Sequence, residues 1–248
     1  MTKSTPQNKK GVDAHLKTLA DKSEGPPVVP KDAASLMLLR EGRRGIEVLM
    51  GQRHTRSPFM PDIYVFPGGK IEVDDWKVKP ARALDTEVCN KLRATAKCSV
   101  GKATALANAA IRETFEEVGL MLAGTTDQSF TSEPWAPFLD QSLAPDLGAL
   151  RMIGRAITPT NSPHRFHARF LAAEASQTTG ALRESDERAD LGFRSIEEAL
   201  ALPIIDVTEE MLRRVQSLGD GGLDFLDKPQ ESVIFCSYRK GNLGVQEL

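Results

Sequence analysis

Cysteine is scarce: Cys89, Cys98 and Cys236 are the three in 248 residues. An odd number without metal-ligand spacing excludes a disulfide framework and a cysteine-based zinc site, and fits reduced thiols. Long apolar runs are missing too. None approaches the roughly 18–20 residues of a membrane span, so no membrane partner is expected. There is no excess of either charge: 32 Lys+Arg against 34 Asp+Glu give a formal net charge of -2. That balance leaves no electrostatic footprint for nucleic acid or anionic lipid. The opening "MTKSTPQNKKGVDAHLKTLADK" lacks the apolar stretch of a secretory signal, and the closing "QEL" is not the Ser-Lys-Leu address. A cytoplasmic location is the expectation.

What is present suffices for a folded domain, with 40% hydrophobic residues. Residues 1–30 are polar and end in "GPPVVP", which reads as a flexible leader with a short helix near Ala14 to Leu19. "ASLMLLR" and "IEVLMGQR" read as strands joined by the hairpin loop "EGRRG". "DIYVF" is a third short strand, broken by Pro67, Gly68 and Gly69. A mixed, partly helical stretch precedes a helix expected over Lys102 to Leu122. "RMIGRAIT" and "RFHARFLAAE" read as strands. Ser195 and Glu198 form a capping-box pattern before "IEEAL". A second late helix has Thr208 ahead of its acidic first turn and Gly219 at its end. "ESVIFCSYR" reads as a last strand.

The unusual stretch is "AIRETFEEVGL", with Glu113, Glu116 and Glu117 within five residues. Wound at about 100° per residue, the three acids fall on one arc of roughly 100°. Ile111, Phe115, Val118 and Leu122 fall on the opposite side. This predicts an amphipathic helix with its apolar stripe buried and its acids facing out. Like charges three and four residues apart repel by a few tenths of a kcal/mol per pair. A solvated acidic face is one reading. Hard oxygen ligands for a divalent cation are the other.

The upstream turn "YVFPGGK", taken with "AAIRETFEEVGL", resembles the box of the Nudix family. Arg112 to Leu120 stands as the second half, with Thr114 at an apolar position. Asp75, separated from Gly69 by five residues, stands where the box has Glu. The spacing departs as well: 112 - 75 - 1 = 36 residues intervene against seven, an insertion of about 36 - 7 = 29. The flanks "RHTRSPFMPDIYVFPGG", "RFHARFLAAE" and "DERADLGFRSIEEAL" are similar to a subgroup carrying such an insertion, the peroxisomal coenzyme A diphosphatase type.

The resemblance implies an α/β/α sandwich around a mixed sheet, with a Nudix domain over 31–215, an insertion over 76–101 and a C-terminal extension over 216–248. It implies Mg²⁺- or Mn²⁺-dependent hydrolysis of a diphosphate linkage in a nucleoside diphosphate joined to another moiety. Coenzyme A or acyl-coenzyme A comes first, then ADP-ribose, dinucleotide polyphosphates or NADH. Glu113, Glu116, Glu117 and the Gly69 carbonyl match metal ligands, and Arg112 matches the arginine that orients the carboxylates. For the general base, which this family places less consistently, Glu187 and Glu184 are candidates, a surface role being the alternative. Arg53 and Arg56 are candidates for phosphate oxygens. His164, His167, Trp76, Trp135 and Phe59 are weighed and read chiefly as packing or rim residues. A homodimer fits the same reading. A Nudix-fold module that senses a nucleotide without cleaving it is the alternative function, kept open by Asp75 and Thr114.

Overall fold

The computed structural model describes residues 28–57, 60–96, 98–129, 132–160, 162–184, 188–239 and 242–248. The helix expected near Ala14, together with Phe59 and Glu187, lies outside the described residues.

The chain opens on β1 (Lys31–Gly42), which turns through the expected hairpin into β2 (Gly45–Arg53). β3 (Tyr64–Val65) pairs with β2. The glycine turn is itself a strand, β4 (Gly68–Lys70), pairing antiparallel with β1, so the third expected strand is shorter and the glycines do not end the sheet. A 3-10 turn (Val73–Trp76) leads to α1 (Thr86–Ala96) and then to the long helix α2 (Val100–Val118). β5 (Leu120–Thr125), α3 (Ala136–Leu139) and β6 (Leu143–Pro145) follow. Next come β7 (Arg151–Ile157), β8 (Phe166–Glu174), β9 (Thr178–Gly180) and β10 (Arg188–Ser195). The chain closes with α4 (Ile196–Leu200), α5 (Asp206–Leu218), β11 (Ile234–Arg239) and β12 (Asn242–Glu247).

The main sheet runs β10-β2-β1-β8-β7-β11-β12, with β3 and β4 attached to its side. It is mixed: β1 with β8 and β7 with β11 are parallel, the rest antiparallel. Both faces are covered, which is why β1 reads as a continuous apolar run rather than an alternation. Ala34, Leu36 and Leu38 join α1, α2, Trp135 and Phe138 in one core. Met37 and Leu39 join α4 and α5 in the other. The expected α/β/α sandwich is therefore present. β11 and β12, from the last thirty-odd residues, extend this same sheet.

Two helix boundaries differ from expectation. The long helix stops at Val118, not Leu122, because Gly119 adopts φ 81° and its N–H caps the Phe115 carbonyl. Leu122 is buried, but on β5. Thr208 is not a cap: the second late helix begins at Asp206, and Thr208 is buried inside it. The Ser195–Glu198 capping box forms as expected. Among the described residues no helix is long and apolar enough to cross a membrane.

Candidate metal and diphosphate site

Arg112 is the hub of the site. It lies on α2, 2% exposed, and every nitrogen of its guanidinium is used. Nε and one terminal nitrogen donate to the two oxygens of Asp75 at 2.9 and 3.0 Å. The other terminal nitrogen donates to Glu113 at 3.0 Å and Glu116 at 2.9 Å. A further bond reaches the Lys70 carbonyl at 3.1 Å. Burial works against the cation, but pairing with Asp75, Glu113 and Glu116 outweighs it and raises the Arg112 pKa above its ordinary value.

Asp75 makes up for its missing methylene through the backbone. It is fully buried, and its carboxylate caps the 3-10 turn by accepting from the Glu72 N–H at 2.8 Å. Asn108 of α2 donates to the carbonyls of Asp75 (2.9 Å) and Val78 (3.2 Å). This buried network draws the turn onto the helix, so 36 intervening residues do not separate Asp75 from Arg112. Residues 76–101 leave beside Arg112 and return at Ser99, whose hydroxyl caps α2. Their helix packs against α2 and β7. Thr114 is buried at the apolar position of the pattern, its hydroxyl satisfied by the Ala110 carbonyl at 2.7 Å.

The three acids do not share one environment. Glu116 faces solvent, with a side chain 41% exposed, and Glu113 is mostly covered at 15%. Glu117 corrects the expectation that all the acids face outward. It is 3% exposed and accepts from the Gly68 N–H at 3.1 Å, because β4 closes over that side of the helix. Burial raises the Glu116 pKa; Arg112 pulls it down, while Glu72 and Asp75 push it up. Gly69 presses its backbone against Glu113: a Cβ there would lie 2.3 Å from that carboxylate. Phe115 is partly buried, edge-on to Phe138 at 5.4 Å, and is not in solvent.

As a donor set, three carboxylates beside a side-chain-free backbone suit a hard divalent ion in chemistry. In the arrangement described they are turned onto Arg112 and Gly68. Among the described residues no three His, Cys, Asp or Glu groups are placed to hold a metal ion.

On the opposite face of β4 lies a cavity of about 190 Å³. Its walls are mostly apolar, including Phe66, Phe166, Phe170 and Tyr238, and it reaches Gly68, Gly69 and Arg53. Of the two arginines singled out from sequence, Arg53 lines this cavity and Arg56 is exposed on the following loop. Trp135 is fully buried against Phe138, Trp76 is 53% exposed, and His164 is exposed. Glu184 is exposed just after β9. Asn108, Lys70 and Glu72 escaped the sequence reading, because a residue that works through a backbone carbonyl or a capped turn carries no spacing signal.

No protein-family model matches the chain. A stretch of 152 residues, 56% of the chain, is 26% identical to "Putative nudix hydrolase 7" of Caenorhabditis elegans. The match spans 43% of that protein, less than half its length. A Nudix hydrolase from Alicyclobacillus acidocaldarius has a TM-score of 0.60 at 24% identity, covering 82% of this chain and 94% of that one. A MutT Nudix hydrolase from Burkholderia pseudomallei gives a TM-score of 0.43 at 18% identity, covering 76% and 99%. The chain has the Nudix fold, and its matched stretch is similar in sequence to a Nudix hydrolase.

Proposed function

We propose that this chain, built on the Nudix fold, is a metal-dependent hydrolase of a diphosphate linkage in a nucleoside diphosphate joined to another moiety. One observation carries the reading. The buried Arg112, locked by Asp75, holds Glu113 and Glu116 side by side where Gly69 brings a bare backbone against them. A helix gains nothing in stability from crowding these acids, whereas a cation turns the same crowding into attraction.

Glu113, Glu116, Glu117 and the Gly69 carbonyl would hold the ion. When bound, Mg²⁺ or Mn²⁺ supplies charge neutralisation for the diphosphate and a more acidic attacking water. Arg112 aims Glu113 and Glu116 through charge-assisted hydrogen bonds. Arg53, from the cavity wall, and Arg56, from the exposed loop, are proposed to hold phosphate oxygens. Glu187 is the proposed base, with Glu184 its neighbour. The apolar cavity beside Gly68 suits a substrate with an extended or aromatic arm, and coenzyme A or acyl-coenzyme A is the first member to try. A cytoplasmic location fits that substrate.

The test is a screen of diphosphate compounds with Mg²⁺ and Mn²⁺, with phosphatase added to develop the products. Turnover that needs both the metal and the added phosphatase supports the reading. Free phosphate released without phosphatase would point to monoesterase chemistry instead. The carboxylates' engagement with Arg112 and Gly68 favours a second reading, a module that binds a nucleotide without cleaving it. Binding by calorimetry with no turnover across the screen would select that one.

A further inference from the structure

A second charged cluster lies on the sheet face that carries α2, near the start of that helix. Asp32 belongs to β1, Arg155 to β7, and His167 and Arg169 to β8. Asp32 accepts from Arg169 at 2.5 Å and also pairs with Lys102, in the first turn of α2. Arg155 and His167 meet at 3.0 Å, and the Arg155 guanidinium sits over the Phe235 ring at 3.8 Å.

The charges here do not balance. Lys102 and Arg169 share the single carboxylate Asp32, and Arg155 adds a third cation beside His167 and Arg169. His167 adds no charge of either sign: burial, then Arg169 and Arg155, lower its pKa to about 4 and keep it neutral. Arg155 and Arg169 are direct cross-strand partners in the antiparallel β7–β8 ladder, a like-charge pairing that opposes the sheet. Arg169 is fully buried, yet among the described residues its Nε and one terminal nitrogen have no hydrogen-bond partner. The same holds for Nε of Arg155. A buried guanidinium with idle donors is costly unless something supplies acceptors.

The cluster is part-exposed at one edge and buried at the other. Side-chain exposure is 29% for Lys102, 27% for Asp32, 15% for His167 and zero for Arg169. The first turn of α2 carries no acidic residue. The positive end of a 19-residue helix thus adds to the field of the three cations.

We propose that this cluster binds a small phosphate-class oxyanion, gripped by Arg155 and Arg169 with Lys102 at its exposed edge. Such an anion brings several acceptor oxygens to idle donors and offsets the excess positive charge in one step. Free inorganic phosphate and a phosphomonoester share this chemistry. The site uses neither Arg112 nor its carboxylates, so it stands apart from the proposed hydrolysis.

The test is calorimetric titration of the full chain, without divalent metal and at constant ionic strength, with inorganic phosphate and separately with phenyl phosphate. One site is expected, with the tighter ligand naming the source. Arg155→Met and Lys102→Met should each weaken it about tenfold or more. Arg53→Met and Glu116→Gln should leave it unchanged. Lys102 sits at the exposed edge, so its variant reads the site even if Arg155→Met fails to fold. Binding that survives Lys102→Met, binding lost in Arg53→Met, or an equal response to chloride would overturn the proposal.

Discussion

The two parts of α2 carry opposite charge patterns around a single organising group. Toward its C-terminus one guanidinium, Arg112, is ringed by Asp75, Glu113 and Glu116. At its N-terminus one carboxylate, Asp32, serves Lys102 and Arg169, with Arg155 behind. Both patterns run against the helix dipole, which favours acids at the start and cations at the end. They differ in completeness. Arg112 uses all its nitrogens, whereas Arg169 leaves two idle among the described residues. A satisfied arginine inside an acidic ring positions other groups. An unsatisfied one inside a basic ring calls for a ligand.

The sharpest way to break this contrast is to remove each organiser. Asp75→Ala strips the buried Arg112 of its two-point partner, and Asp32→Ala leaves three cations with no carboxylate. Each should cost about 3–5 kcal/mol in denaturant unfolding. Added phosphate should recover part of the loss in Asp32→Ala and none in Asp75→Ala. Equal recovery in both would erase the distinction between the two ends.

Next in size is Glu116→Gln. The acid is exposed, so the fold should survive with an unchanged circular dichroism spectrum. Metal-dependent turnover should drop about 100-fold or more, beyond the roughly 10–100-fold typical of outer-shell partners. Full activity at saturating metal would remove Glu116 from the ligand set.

His167 offers a smaller test through pH. Unfolded, it takes a proton near pH 6.5; folded, it resists until about pH 4. Between those values the unfolded state binds more protons, so stability rises with pH and is lost as pH falls through the window. The contribution is at most about 3 kcal/mol. His167→Gln should flatten the stability profile from pH 6.5 to 4, and an unchanged slope would show that other groups set it.

The smallest expected effect is Thr114→Val. The hydroxyl bonds only to a helix carbonyl one turn back, so stability should change by no more than about 1 kcal/mol. A larger loss, read as a shift in the unfolding midpoint, would mean that Thr114 supports the Arg112 network.

Much of the architecture was legible from pattern. The hairpin, the strands at 151–157 and 166–174, the long helix and the Ser195 cap all follow from local chemistry. The acidic arc pointed to Glu113, Glu116 and Glu117 because helical spacing is a property of the sequence alone. Boundaries were less legible. Nothing local says that β4 pairs with β1, and that pairing is what buries Glu117 behind Gly68. Arg155 and Arg169 read as ordinary residues of two strands; only the register of β7 on β8 sets them face to face.

The sequence by itself determined the periodicity of each element, the caps, and the types of side chain able to meet a metal or a phosphate. These are short-range matters, fixed within a few residues. The tertiary structure alone decided that Asp75 reaches Arg112 across 36 residues. It also decided that Glu117 is covered while Glu116 is not, and that Lys102 and Arg169 share one carboxylate with Arg155 close by. Each of these depends on which strand lies beside which, and on burial, which sets the strength of a charge by removing water from around it.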